Sequence, residues 1–139
     1  MKSALKLAKK KAWESFSKYI RARDAIKTTG SLDNCVCVSC GRTYPAFGVG
    51  CIQAGHLIPG RTNALLIDEK LVNGQCYHCN IGLKGNYVPY RRKMVQWYGE
   101  EFVIEAEDKR NDSNPMKAYQ WKEIEDKYKQ LYKQLKESL

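Results

Sequence analysis

Two C-x2-C pairs constrain this chain more than any other feature. Cys37-Val38-Ser39-Cys40-Gly41 is followed, after the interval 41–75, by Cys76-Tyr77-His78-Cys79. Each pair sets two thiolates three residues apart, and Gly41 tolerates the left-handed turn that a metal knuckle needs. Four thiolates fill the tetrahedron of Zn²⁺ and leave no open position, so the expected role is structural. Six cysteines in a secreted mini-protein would suggest disulfides. Here the lysine-rich N-terminus has no apolar signal region and no small-residue cleavage site. No apolar run approaches the roughly 20 residues of a membrane span. The expectation is a soluble, cytoplasmic chain whose cysteines hold metal. Cys35 lies too near Cys37 to ligate beside it and is expected to be a small buried hydrophobe. Cys51 is left over, and His78, inside the second knuckle, is expected to be exposed.

The chain has 139 residues, 43% of them hydrophobic, and a formal net charge of +9. That is one domain with a packed core. Its charge is unevenly placed. Residues 1–29 carry nine Lys/Arg against two acids, residues 30–99 seven against three, and residues 100–139 eight against ten. The positive field belongs to the first hundred residues, where a phosphate backbone is the natural partner. A solvated basic helix is the competing reading.

Periodicity divides the same three segments into an N-terminal basic helix, a zinc-stapled core and an acidic connector with a C-terminal helix, an α+β organisation. A helix is expected over 3–28, with Trp13, Phe16 and Ile20 on one face and Gly30 as its stop. The turn residues Gly41, Pro45 and Gly48 suit a hairpin around the first knuckle, and 49–58 reads as a short strand. Cys76 to about Leu83 and Pro89 to Tyr98 read as helices, the latter with Tyr90, Met94 and Trp97 on one face. Residues 100–113 read as a connector with a short strand at Phe102–Ile104. The last helix is expected to open with Asn114 as cap and Pro115 at its first position. Its stripe of Trp121, Ile124, Tyr128, Leu131 and Leu135 is assigned to packing.

Only two histidines exist. His56 stands in Gln53-Ala54-Gly55-His56 between the knuckles, and Asn80 directly follows the last cysteine. A zinc-tethered strand followed by a helix would set the two opposite each other. Such a pair suits phosphodiester hydrolysis, with the imidazole as general base and the carboxamide oxygen helping to hold Mg²⁺ or Mn²⁺.

Ala54-Gly55-His56, Asp68-Glu69, Gln75-Cys76-x-x-Cys79-Asn80, Gly85-Asn86 and Tyr90-Arg91 together resemble the phage NinG (Rap) recombination nucleases. Trp97-Tyr98-Gly99, the final helix and the upstream Trp13, Phe16, Tyr19-Ile20-Arg21 and Arg23-Asp24 extend the resemblance over about 10–135. Longer members carry an additional N-terminal cysteine-bearing segment. The chain is also similar to the junction-resolving endonuclease VII. The resemblance implies a ββα-metal (HNH, treble-clef-like) core flanked by long amphipathic helices. It also implies a DNA endonuclease acting on branched structures such as Holliday junctions, in the host cytoplasm. By it His56 is the base, Asn80 a divalent-metal ligand, and Cys37, Cys40, Cys76 and Cys79 the zinc site. Gly55 stands where many HNH enzymes have an acid, and Asp68 or Glu69 is the expected substitute. Leu71 occupies the position of their middle Asn, with Asn73 nearest to it.

Lys84, Arg91, Arg92 and Lys93 follow the second knuckle, and Arg61 follows His56. With Lys6, Lys9, Lys10 and Lys11 they are expected to track DNA phosphates, which gives affinity without sequence. Two symmetric cuts in a junction make a homodimer the natural arrangement, with a long helix as interface. The alternatives are a non-catalytic zinc-dependent DNA-binding module, an HNH nuclease acting on linear duplex, and a protein-interaction scaffold.

Overall fold

A computed structural model describes residues 2–59 and 62–139. The first element, α1 (Lys2–Thr29), runs through the whole basic segment. It stops where expected: Gly30 takes φ 79° and its N–H returns to the Ile26 carbonyl at 2.9 Å, the left-handed ending that glycine adopts without a Cβ penalty. The buried face carries Ala12, Phe16 and Ile20, spaced four apart as a helical stripe requires.

Two short antiparallel hairpins follow. In the first, β1 (Asn34–Val36) pairs with β2 (Thr43–Pro45), Cys35 opposite Tyr44. In the second, β3 (Gln53–His56) pairs with β4 (Val72–Gln75), His56 opposite Val72 and Gly55 opposite Asn73. No strand is expected at β4, because Asn73-Gly74-Gln75 has neither alternation nor β-branching. Side chains from α1 hold it instead. Arg23 donates to the carbonyls of Glu69 (2.6 Å) and Val72 (3.0 Å) and to Asn73 Oδ1 (3.1 Å). Asp24 accepts from Arg23 Nε at 2.8 Å and from the Gly74 N–H at 2.7 Å. The buried carboxylate thus meets one charged and one backbone donor, as a charge at 4% exposure must.

The helix expected from Cys76 is one wide π-helical turn, His78–Gly82. It ends because Lys84, Gly85 and Asn86 all take positive φ (53°, 103° and 40°), and no α-helix continues through a left-handed run. Next come α2 (Tyr87–Tyr98), α3 (Glu100–Asp108) and α4 (Ala118–Glu137). The strand expected at Phe102–Ile104 is instead part of α3. Val103 and Ala106 are buried three apart on one face, and Glu100 and Glu101 in the first turn favour the helix N-terminus. Three adjacent strand-formers matter less than that spacing. The cap also lies later than Asn114-Pro115. The N-cap of α4 is Lys117, whose N–H donates to Gln120 Oε1 at 2.8 Å.

One core joins α1, α4 and the second hairpin through Phe16, Ile20, Ala54, Val72 and Tyr128. Phe16 and Tyr128 meet edge to face at 4.8 Å, a favoured aromatic geometry. The apolar faces of the two long helices are therefore used on each other. A second core gathers Leu57, Leu71, Tyr90, Met94 and Val103, and a third surrounds the cysteines with Ala25, Cys35, Ala46 and Ile52. Cys35 is fully buried, and burial pushes its thiol up to about 12. No helix among the described residues is long and apolar enough to cross a membrane.

Candidate metal centre and adjoining cleft

Cys37, Cys40, Cys76 and Cys79 converge so that their sulfurs all lie within 4.8 Å of one another. Cys40 Sγ and Cys76 Sγ stand 3.9 Å apart. Sulfurs bound to one zinc at about 2.3 Å sit near that separation, whereas a disulfide needs about 2.05 Å. No disulfide forms among the described residues. These four cysteines could hold a zinc ion, and they are the one such group among the described residues.

The surroundings suit thiolates. Backbone N–H groups of Cys40 and Cys76 point at Cys37 Sγ (3.5 and 3.3 Å), and that of Cys79 at Cys76 Sγ (3.4 Å). Asn86 Nδ2 donates to Cys79 Sγ at 3.4 Å. Burial pushes the Cys76 thiol up, but the Cys79 N–H and the Tyr44 hydroxyl overcome that and bring it down to about 7. Burial raises Cys37 and takes Cys79 up to about 12. A cation's charge would draw off the protons that burial favours on Cys37 and Cys79.

The wide turn that carries Cys79 also lines one side of a neighbouring cleft of about 880 Å³. Lys6, Lys9, Lys10 and Trp13 line it from α1, Ala54 and His56 from β3, and Asn80, Ile81 and Lys84 from the wide turn and its exit. Alternation along β3 puts Ala54 and His56 on the cleft side. His56 Nε2 lies 2.9 Å from the Leu66 carbonyl, which can only accept, so in the neutral ring Nε2 holds the proton and Nδ1 the lone pair. Trp13 stacks on the imidazole at 4.9 Å and 21°. Asn80 donates from Nδ2 to Gln53 Oε1 at 2.8 Å. That bond fixes the carboxamide and leaves Oδ1 as the atom it offers. Gln53 was not visible as a site residue, since its partner lies 27 positions away. The structure thus brings His56 and Asn80 to one cleft.

Other expected participants lie elsewhere. Asp68 Oδ1 accepts from the N–H groups of Lys70 and Leu71 (2.9 and 3.2 Å) and shapes a turn. Glu69 accepts from the Tyr128 hydroxyl at 3.1 Å, and Asn73 is buried against Tyr90 and Met94. None of the three lines the cleft, and no carboxylate does among the described residues. Arg91 is held by Glu107 through two hydrogen bonds of 2.9 and 3.1 Å, and Tyr87 also donates to that carboxylate. The Arg91 guanidinium holds the Glu107 carboxyl below its ordinary range. Arg92 borders a shallow groove on α2, and Lys93 lines a separate hollow beside the first knuckle. Of the cations expected to follow the second knuckle, Lys84 alone reaches the cleft. Arg61 lies outside the described residues.

Gly55 has a geometric reason. A Cβ there would stand 2.1 Å from Gln75 Oε1 and 2.8 Å from Gln75 Cβ. Gln75 is fully buried and held by Ser39 Oγ (2.8 Å) and the Gly85 carbonyl (2.6 Å), so it has little room to yield. Gly55→Asp is expected to lower unfolding free energy by about 1–3 kcal/mol through overpacking. It should give no gain in divalent-metal affinity. Denaturant unfolding and metal titration check both.

A family model described as "Bacteriophage Lambda NinG protein" matches residues 1–138. The "Protein ninG" of Escherichia phage 933W is 32% identical over 133 residues, covering 93% of this chain and 58% of the relative. That of Escherichia phage lambda is 32% identical over 138 residues, covering 93% and 57%. That of Salmonella phage P22 is 31% identical over 138 residues, covering 93% and 58%. The chain thus spans under two thirds of the length of these relatives. No solved structure matches it.

Proposed function

The chain belongs to the NinG family of bacteriophage proteins, and we propose that it is a structure-selective DNA endonuclease with an HNH-like core. Branched recombination intermediates such as Holliday junctions are its proposed substrates. One observation carries the reading: His56 and Asn80 line the same cleft as Lys6, Lys9, Lys10 and Lys84, with no acid among the described lining residues. None of these lysines enters an ion pair among the described residues. Four uncompensated cations in a concave site attract a phosphodiester backbone.

On this reading the lysines seat the scissile phosphate, and His56 Nδ1 takes a proton from the attacking water. The Leu66 carbonyl holds the tautomer that keeps a lone pair on Nδ1, and Trp13 holds the ring plane. Gln53 aims Asn80. One amide oxygen without a carboxylate is not a complete Mg²⁺ or Mn²⁺ site. It fits such an ion only where substrate phosphate supplies further oxygens. When bound there, the ion would stabilise charge on the leaving oxygen. The likeness to endonuclease VII belongs to this proposal. So does a homodimer, which would use surfaces other than the mutually packed faces of α1 and α4.

The absence of a carboxylate from the cleft's lining among the described residues favours one rival, a zinc-stapled DNA-binding module without catalysis. The test is cleavage of an end-labelled four-way junction and a linear duplex of the same sequence, at fixed salt, with and without Mg²⁺. The expected result is metal-dependent nicking of the junction in preference to the duplex. Lys6→Ala/Lys9→Ala/Lys10→Ala should weaken binding of both and reduce the salt slope by about three. Binding without cleavage in any divalent metal sinks the enzyme reading, and equal cutting of both substrates sinks the structure selectivity.

A further inference from the structure

A second hollow, of about 290 Å³, opens beside the first knuckle and shares no lining residue with the cleft. Four separated stretches of chain meet there: the end of α1 with Lys27, the knuckle with Ser39, β4 with Asn73 and Gly74, and α2 with Lys93 and Trp97. Trp97 is 38% exposed, although its helix buries Tyr90 and Met94 in a core. Lys27 Nζ stands 3.9 Å from its ring centroid and Lys93 Nζ 6.0 Å. Neither lysine enters an ion pair among the described residues. Asp24, the acid lining this hollow, is 4% exposed, with its oxygens given to Arg23 Nε and the Gly74 N–H. The hollow therefore presents two ammonium groups, neither in an ion pair among the described residues, around an accessible indole, with Cys37 and Cys40 of the metal cluster also in its lining.

We infer that this hollow binds an unpaired nucleotide of the DNA substrate, with Lys27 and Lys93 on its phosphates and the base against Trp97. The inference rests on the nucleic-acid reading of the cleft and adds a second contact to it. Phosphate chemistry explains the cations and a flat π-surface explains the indole, whereas an acidic peptide would use the cations alone. A hollow of this size cannot admit a duplex, and paired bases offer no free face for stacking. Single strands do, and the contact is tolerant of sequence. Unpaired nucleotides occur at branch points and flaps, so the site would discriminate branched from linear DNA without reading bases.

The test measures binding of the full zinc-loaded chain to a labelled duplex, with and without a short oligothymidine tail, with Mg²⁺ omitted to prevent cleavage. The tail is expected to tighten wild-type binding roughly tenfold, in the range of one stacked base. Trp97→Leu should abolish that gain while duplex affinity stays within about twofold. Lys27→Gln/Lys93→Gln should do the same, and it tests the charges without touching the ring should the Trp97 variant fail to fold. A tail gain that survives both variants overturns the inference, as does an equal loss on both substrates. Polyglutamate that competes with the tail as well as oligothymidylate does also overturns it, since the hollow would then be an anion groove. Failure of the wild type to bind plain duplex defeats the cleft reading instead. In that event quenching of Trp97 fluorescence by oligothymidylate alone, absent in Trp97→Leu, would still support this site.

Discussion

Cys76→Ser is expected to unfold the knuckle core outright, and a strong chelator should do the same to the unaltered chain. Structural zinc contributes on the order of 10 kcal/mol to small domains, against total stabilities of roughly 5–15 kcal/mol. Losing the metal would therefore remove most of what holds this fold. The damage should spread beyond the knuckles. Ala25 of α1 and Ile52 beside β3 pack on the same cluster, and the strained exit at Lys84–Asn86 is tied to it through Asn86 and Cys79. Metal analysis should find one zinc per chain, and thermal unfolding should show the transition fall by tens of degrees or vanish on chelation. Acid should act in the same direction, because thiols must lose their protons to bind metal and regain them as pH falls. Cys35→Ser is the control. Its thiol is buried and pushed up to about 12, so it stays neutral outside the metal set. That change should cost about 1–3 kcal/mol for a buried hydroxyl and leave zinc content unaltered. A melting curve indifferent to chelation would remove the metal from the account of this fold.

The cysteine cluster was legible because spacing in sequence fixes spacing in space: two C-x2-C pairs together supply the four sulfurs of one tetrahedral site. The same holds for α1, α2 and α4, whose apolar residues recur at helical intervals. What was hidden depends on contacts between distant residues. The strand β4 exists because Arg23 and Asp24, about fifty positions earlier, satisfy its backbone. Gln53 becomes a site residue only when the wide turn carries Asn80 to it. Phe102-Val103-Ile104 taken alone suggests a short strand, but Ala106 shares a face with Val103 and makes the segment part of α3. Gly55 looked like a missing acid. It is better explained by a buried glutamine that fills the place of its side chain. Charge alone places Arg91 among the DNA contacts, whereas the fold gives its guanidinium to Glu107 through two hydrogen bonds.

His56→Ala is expected to reduce cleavage by about 10²–10⁴-fold, the usual contribution of a positioned general base. DNA affinity should change less than twofold, because the lysines and not the imidazole hold the backbone. The substitution removes the ring from Trp13 and leaves the Leu66 carbonyl without its Nε2 donor. A merely structural histidine would also lose those contacts, so stability does not discriminate between the roles. Two readouts do. Added imidazole should restore part of the rate to a His56→Gly variant, since a small base can enter the space the ring vacates. A structural loss would gain nothing from it. In the unaltered chain, added imidazole should leave the rate unchanged, because the ring already fills that space. Trp13→Leu should occupy the middle ground. The base remains but loses the surface that orients it, so the rate should fall by roughly tenfold, within the penalty of a loosened catalytic geometry. A His56→Ala protein that cuts a junction within threefold of the unaltered chain would leave the imidazole a packing residue beside Trp13, and the catalytic base would have to be sought elsewhere.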